Sequence, residues 1–136
     1  MKPGTLVLVV GLMLGAPLPA SAGSPAVDYM LECQGCHLPD GAGAPDVPDL
    51  RNTVGRFLAV PGGRAYLVQV PGSSQSALGD AELAAVLNWM VTNFDPGTAS
   101  AGFQPFDGEE ISTLRVAPLV DVEGVRRGLV SQFATD

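Results

Sequence analysis

Two cysteines and a histidine lie close together in this sequence, at Cys33, Cys36 and His37. The chain of 136 residues contains no other cysteine and no other histidine. Every thiol and every imidazole that the protein can offer is therefore found in one segment. The spacing C-x-x-C-H places the two thiols on one face of a helical turn, with the imidazole directly after them. Any chemistry that needs a thiol or an imidazole must therefore take place at this turn.

The first 22 residues have the pattern of a secretory signal peptide. Lys2 provides a positive start, residues 6–14 are apolar, and Ala20-Ser21-Ala22 matches an A-x-A cleavage site. A membrane-spanning helix needs about 20 apolar residues, roughly twice the length of this run. We therefore predict cleavage after Ala22, export to the periplasm, and no transmembrane segment in the mature chain.

The C-x-x-C-H segment is the attachment motif of c-type haem. Two thiols at this spacing can add to the two vinyl groups of one porphyrin, and the histidine that follows projects toward the iron. We predict one covalent haem c, with Cys33 and Cys36 as its thioether ligands and His37 as the proximal iron ligand.

Two other chemistries use closely spaced cysteines. A thioredoxin-like redox pair needs a strand and helix framework ahead of the motif, and few mature residues precede Cys33. Zinc prefers four ligands, whereas this segment offers three. The alternative that stays open is a haem-free interaction protein in which an oxidising compartment joins Cys33 to Cys36 by a disulfide.

The rest of the sequence predicts short helices and loops. Residues 26–32 form a predicted helix, residues 53–60 a predicted helical turn, and residues 63–70 a short helix or strand. The clearest helix starts at Asp80 as its N-cap and ends at Phe94. Its apolar residues recur every three or four positions, which predicts one buried face: Leu83, Val86, Leu87, Met90, Val91 and Phe94.

A second group of helices follows a predicted flexible boundary at residues 97–102. One begins at Asp107, with Glu110 as its capping-box partner. The last is capped by Asp121, and its apolar face runs from Val122 to Phe133. We expect an all-α fold with residues 23–95 as the haem-binding domain and residues 96–136 as a helical C-terminal extension.

Residues 24–94 resemble class I cytochrome c, the family of small monohaem electron carriers. Tyr29 stands four residues before Cys33, where that family often has an aromatic residue on its N-terminal helix. Residues 40–43 (Asp-Gly-Ala-Gly) and Pro48-Asp49-Leu50 are similar to the family's haem-edge loop. The resemblance implies that the Pro48 carbonyl accepts a hydrogen bond from His37 Nδ1–H, and that Leu50 packs on the porphyrin.

The helix of residues 80–94 is similar to the family's C-terminal helix. Trp89 takes the place of its aromatic residue, so the resemblance implies that this helix crosses the N-terminal helix at Trp89.

The sequence departs from that family at the sixth iron ligand. The family usually takes a methionine from the loop before its C-terminal helix, but residues 70–78 contain no Met, His or Lys. Met30 lies on the helix that leads into the haem motif and would have to reach the opposite face of the haem. Met90 is the remaining candidate. Otherwise the iron has no strong sixth ligand and is five-coordinate, bound by water, or weakly capped by the C-terminal tail or by Ser73, Ser74 or Gln75.

These features predict an exported monohaem cytochrome that carries one electron and is not an enzyme. Its expected partner is a redox protein such as a periplasmic dehydrogenase or oxidase. The formal net charge of −7 argues against nucleic-acid binding, because an acidic chain repels phosphate. The alternative function is binding or sensing of a small ligand at an open distal site, which the missing loop methionine motivates.

Overall fold

The computed structural model describes residues 23–133, so the predicted signal peptide lies outside the described residues. Within that range the chain forms α-helices, one 3₁₀ helix at residues 54–59, and no strand beyond an isolated bridge between Ala44 and Val47. The α-helices are α1 (Pro25–Glu32), α2 (Gln34–His37), α3 (Gly63–Gln69), α4 (Pro71–Ser74), α5 (Asp80–Phe94), α6 (Pro96–Ala101), α7 (Gly108–Leu114) and α8 (Val122–Val130). The prediction of an all-α fold is confirmed.

The crossing of α1 and α5 joins the two ends of residues 23–95. Tyr29 on α1 is 1% exposed, and its ring lies 5.2 Å from the Trp89 ring and 5.1 Å from the Phe94 ring. Such tilted aromatic contacts add to the free energy gained by burying the rings. The crossing at Trp89 that the resemblance implied is confirmed.

Helix α5 buries the predicted apolar stripe along its whole length. Its start differs from the prediction, because Gly79 is the N-cap and Asp80 is the first helical residue. The Glu82 side chain accepts the Gly79 N–H at 2.8 Å and so satisfies a free donor of the first turn. The Asp80 carboxylate does not cap the helix and instead forms an ion pair with Arg115 at 2.9 Å.

Residues 54–70 contain the 3₁₀ helix, which packs on α5, and α3, which packs on the 3₁₀ helix. The segment for which a helix or a strand was expected is helix α3, and the predicted helical turn before it is the 3₁₀ helix. The rings of Phe57 and Tyr66 stack with their centroids 4.9 Å apart. This stack joins the 3₁₀ helix to α3.

Most of the segment that was expected to be flexible is helical, because α6 covers Pro96–Ala101. Asp95 explains the difference, because its side chain caps α6 by accepting the Thr98 N–H at 3.1 Å. Its other carboxylate oxygen accepts the Gly55 N–H at 3.0 Å. A Cβ at Gly55 would collide with Thr98 and Asp95, so a glycine is required where these segments meet.

The helices after residue 102 pack on the earlier ones. Phe106, Ile111 and Leu129 are at most 6% exposed and belong to the same core as α3 and α5. Asp121 caps α8 by accepting the Gly124 N–H at 2.8 Å, as predicted. Asp107 caps α7 through the Glu110 N–H, but the Glu110 side chain does not complete the expected capping box.

The Glu110 carboxylate instead binds the Arg64 guanidinium on α3, with contacts of 2.6 and 2.7 Å. The expected local bond is thus replaced by one that ties α7 to α3.

Replacing Asp95 by Ala removes the acceptor for two backbone N–H groups, one of them in the buried contact with Gly55. An unsatisfied buried donor and a lost helix cap together cost about 2–3 kcal/mol. We expect this loss in the free energy of unfolding measured with urea. The matched control Asp121→Ala removes an exposed cap and should cost about 1 kcal/mol. Equal losses for the two variants would contradict this account of Asp95.

Candidate haem-binding site

A cleft of about 340 Å³ opens between α5, α3 and the C-x-x-C-H segment. Most of its walls are apolar side chains from the 3₁₀ helix, α3 and α5. Six residues that the sequence predicted at a haem site also line the cleft: Cys33, Cys36, His37, Pro48, Leu50 and Met90.

The two cysteines and the histidine lie on one tight turn. The His37 backbone N–H donates to the Cys33 carbonyl at 3.0 Å. The Cys33 backbone N–H donates to the Tyr29 carbonyl at 2.9 Å, which connects the turn to the end of α1. Both cysteines are free thiols, with Cys33 partly buried and Cys36 exposed. Burial, with a smaller contribution from Glu32, raises the pKa of Cys33 to about 11, so this thiol is protonated in the described state.

The imidazole of His37 is oriented by a backbone carbonyl. Its Nδ1 lies 3.1 Å from the Pro48 carbonyl oxygen. Because a carbonyl can only accept, Nδ1 must carry the hydrogen, and the lone pair of the neutral ring is then at Nε2. Burial lowers the pKa of His37, although the bond to Pro48 opposes this shift. The net shift favours the neutral ring, whose Nε2 can bind a metal.

The loop at residues 39–50 holds the Pro48 carbonyl in place. Gly43 has a φ of 76°, and a Cβ there would collide with the carbonyls of Val47 and Pro48. Only glycine combines this backbone angle with so close an approach. Arg51 closes the loop from outside through ion pairs with Asp40 at 3.1 Å and Asp49 at 2.7 Å.

Tyr29 supports the motif from behind. Its hydroxyl donates to the Leu38 carbonyl at 2.7 Å, directly after His37. Leu38 has a φ of 60°, an unfavourable backbone angle for a leucine, which this bond helps to maintain. Burial raises the pKa of Tyr29 to about 12, so the phenol remains a donor.

The segment between α3 and α5 is held in place by the C-terminal extension. Gly72 and Ser73 of this segment line the cleft. Arg115, at the end of α7, donates to the carbonyls of Ser76 at 3.1 Å and Leu78 at 2.9 Å. Longer contacts, of 3.3 and 3.4 Å, reach the Ser74 carbonyl. One guanidinium thus fixes the loop before α5, which lacks the methionine that the resemblance would place there.

The two methionines of residues 23–133 lie in different places. Met90 is 7% exposed and lines the cleft, whereas Met30 is half exposed on the surface of α1 and is not among the cleft residues. The described chain therefore brings Met90, and not Met30, into the cleft with His37.

Sequence reasoning missed three residues at this site. Tyr66 and Arg126 line the cleft, and Arg115 fixes its loop. The sequence contained one signal for Arg126, since it lies four positions after Val122 and shares its helix face. No local pattern pointed to Arg115, because its partners lie 35 to 41 residues earlier in the chain.

Comparison with known proteins agrees with the geometry of the cleft. No protein-family profile matches the chain. A Cytochrome c-552 of Thermus thermophilus is 34% identical over 131 residues, an alignment that covers 82% of this chain and 87% of that protein. The chain belongs to the c-type cytochromes. A second Cytochrome c-552, also from Thermus thermophilus, is 36% identical over 107 residues, which cover 65% of this cytochrome and 82% of its relative.

Haem c with its iron is the cofactor of this family, and the cleft fits it. The walls are apolar, two free thiols lie beside them, and the neighbouring imidazole has the tautomer that leaves Nε2 available. Within residues 23–133, no three His, Cys, Asp or Glu side chains form a cluster that could hold a metal ion by itself. In the same range, no helix is both long enough and apolar enough to cross a membrane.

The contacts of Arg115 predict that this residue stabilises the cytochrome. In Arg115→Gln, the Asp80 carboxylate and several loop carbonyls lose a charged donor, and we expect a loss of about 2–4 kcal/mol in the free energy of unfolding. Denaturant unfolding measures it. Arg51→Gln is the control, because its ion pairs are exposed and should contribute little. The interpretation is wrong if both variants unfold at the wild-type denaturant concentration.

Proposed function

We propose that this cytochrome is an exported one-electron carrier in which Cys33 and Cys36 hold haem c by thioether bonds and His37 is the proximal iron ligand. The contact of 3.1 Å between His37 Nδ1 and the Pro48 carbonyl carries the proposal. This bond orients the ring and raises the basicity of Nε2, as a partner behind a metal-bound histidine does. The two thiols lie on the same turn and line the same cleft.

The haem iron supplies the ferric and ferrous states between which one electron is exchanged. The protein's contribution is to hold and surround it. Leu50, Val86 and Leu87 give the cleft an apolar wall that excludes water, and such burial influences the reduction potential. In this proposal the protein acts as an electron carrier and not as an enzyme.

We propose that a redox partner docks where the C-x-x-C-H segment reaches the protein surface. Cys36 is exposed, and Leu38 beside it is 41% exposed. Because the sequence is acidic and the mature chain contains no lysine, a redox partner with a basic docking surface would be attracted. A periplasmic dehydrogenase or oxidase is the proposed class of partner.

Intact-mass measurement of the protein from an exporting host tests attachment and export together. We expect the mass of residues 23–136 plus one haem, and a haem-stained band on a denaturing gel. Cys36→Ala should retain one thioether bond, whereas the double variant Cys33→Ala/Cys36→Ala should lose the stained band. Purified wild-type protein without haem, with a disulfide between the cysteines, would contradict the proposal.

Binding of a small ligand is the second candidate function. It is favoured by the loop at residues 70–78, which contributes Gly72 and Ser73 to the cleft but no Met, His or Lys. Among the described residues, Met90 alone brings a methionine sulfur into the cleft, and it does so from α5. Without a strong sixth ligand the iron would be open to exogenous molecules.

Visible spectra separate the two functions. For an electron carrier with a sixth protein ligand, we expect a low-spin ferrous spectrum that carbon monoxide does not change. Met90→Leu should then give a high-spin spectrum that shifts with carbon monoxide, and the control Met30→Leu should match the wild type. A wild-type protein that is already high-spin and binds carbon monoxide would instead favour ligand binding.

A further inference from the structure

The Asp28 carboxylate on α1 has one oxygen without a partner. Within residues 23–133, Oδ2 of Asp28 is buried and accepts no hydrogen bond. A buried carboxylate oxygen normally accepts a hydrogen bond, because a negative charge taken out of water needs a partner. The ion pairs in this range use other carboxylates: Asp40, Asp49, Asp80, Glu110 and Glu123. The position of Asp28 Oδ2 therefore indicates that this carboxylate acquires a donor.

The backbone of Gly23 lies against this carboxylate. A Cβ built on Gly23 would be 2.6 Å from Asp28 Oδ1 and 3.1 Å from Asp28 Oδ2. The start of α1 sets this approach, because the Ser24 carbonyl accepts the backbone N–H groups of Val27 at 2.8 Å and of Asp28 at 3.0 Å. The carboxylate thus lies beside the residue at which the predicted mature chain begins.

Removal of the predicted signal peptide changes the charge at Gly23. Hydrolysis of the bond between Ala22 and Gly23 consumes one water, leaves a carboxylate on Ala22, and frees the Gly23 nitrogen as an α-amine. At neutral pH this amine is mostly an ammonium with three N–H donors, whereas the uncleaved chain has one neutral amide N–H at the same atom. Cleavage therefore creates a positive charge one residue before α1.

We propose that Asp28 binds the α-ammonium of Gly23, so that cleavage of the signal peptide stabilises α1. This inference rests on the export and cleavage in the proposed function. A hydrogen bond between an ammonium and a carboxylate is shorter and stronger than one between neutral groups. Helix α1 carries Tyr29 and leads directly into Cys33. The ion pair would therefore hold the helix that positions the haem motif.

The other ionisable groups on α1 and on the helices that pack against it are placed differently. Glu32, the second carboxylate of α1, is exposed and lies one turn further along the helix. On α5, Asp80 and Glu82 have partners of their own in the first turn. On α2, His37 is bound to the Pro48 carbonyl. Asp28 is the carboxylate that lies against Gly23.

The rate at which acetic anhydride modifies the haem-loaded protein tests the ion pair. The mature chain contains no lysine, so the α-amine is its only amine, and intact mass counts the acetyl groups. Only the neutral amine reacts, and a nearby carboxylate raises the pKa of the amine. At pH 7, Asp28→Asn should react about tenfold faster than the wild type, which corresponds to a pKa difference of about one unit.

Glu32→Gln is the matched control for this rate. It makes the same change of charge on the same helix, at an exposed position one turn away, and its α-amine should react at nearly the wild-type rate. Equal rates for Asp28→Asn and the wild type would overturn the proposal.

A comparison on the wild-type holoprotein keeps the proposal testable if Asp28→Asn does not fold. Acetylation converts the α-ammonium into a neutral amide, whereas reductive methylation keeps its positive charge and at least one N–H donor. The acetylated protein should therefore unfold at a lower urea concentration than the methylated protein. Equal unfolding midpoints for the two modified proteins would contradict the ion pair.

Intact mass and haem staining distinguish a failure of this proposal from a failure of the proposed function. A haem-loaded protein whose mature chain begins at a residue other than Gly23 would overturn the proposal and leave haem binding in place. A protein that begins at Gly23 but carries no haem would refute the proposed function, while the reaction rate of its α-amine would still decide the ion pair.

Discussion

The bond between His37 and the Pro48 carbonyl is the contact on which the site depends. It joins the C-x-x-C-H turn to a loop eleven residues away and fixes which ring nitrogen faces the cleft. The loop can make this bond because Gly43 allows its backbone to approach so closely. On the other side, Tyr29 holds the backbone after His37 and packs against Trp89. The imidazole is therefore oriented by the same contacts that join α1 to α5.

The C-terminal helices contribute directly to the cleft. Helix α7 provides Arg115, which fixes the segment before α5, and helix α8 places Arg126 at the cleft wall. Since Phe106, Ile111 and Leu129 share the core of α3 and α5, these helices are integral to the folded cytochrome. The segment that was expected to be a C-terminal extension thus also lines the cleft.

Local patterns predicted most of the helices because each was encoded by nearby residues. The apolar spacing in α5 and the Asp121 cap of α8 are examples. Errors arose where a distant partner competed with a local one. Glu110 binds Arg64 instead of completing a capping box, and Asp80 binds Arg115 instead of capping α5. Residues 97–101, which were expected to be flexible, are helical because Asp95 caps their helix while also binding Gly55.

By itself, the sequence determined the chemistry that the protein can offer: two thiols and one imidazole on a single turn, and no methionine in the loop before α5. These are properties of composition and spacing, which folding does not change. Only the tertiary structure decided that Met90, and not Met30, faces the cleft, and that Tyr66 and Arg126 meet there. Such placements depend on how helices far apart in the chain pack together, and hydrophobic periodicity predicts which face is buried but not which partner covers it.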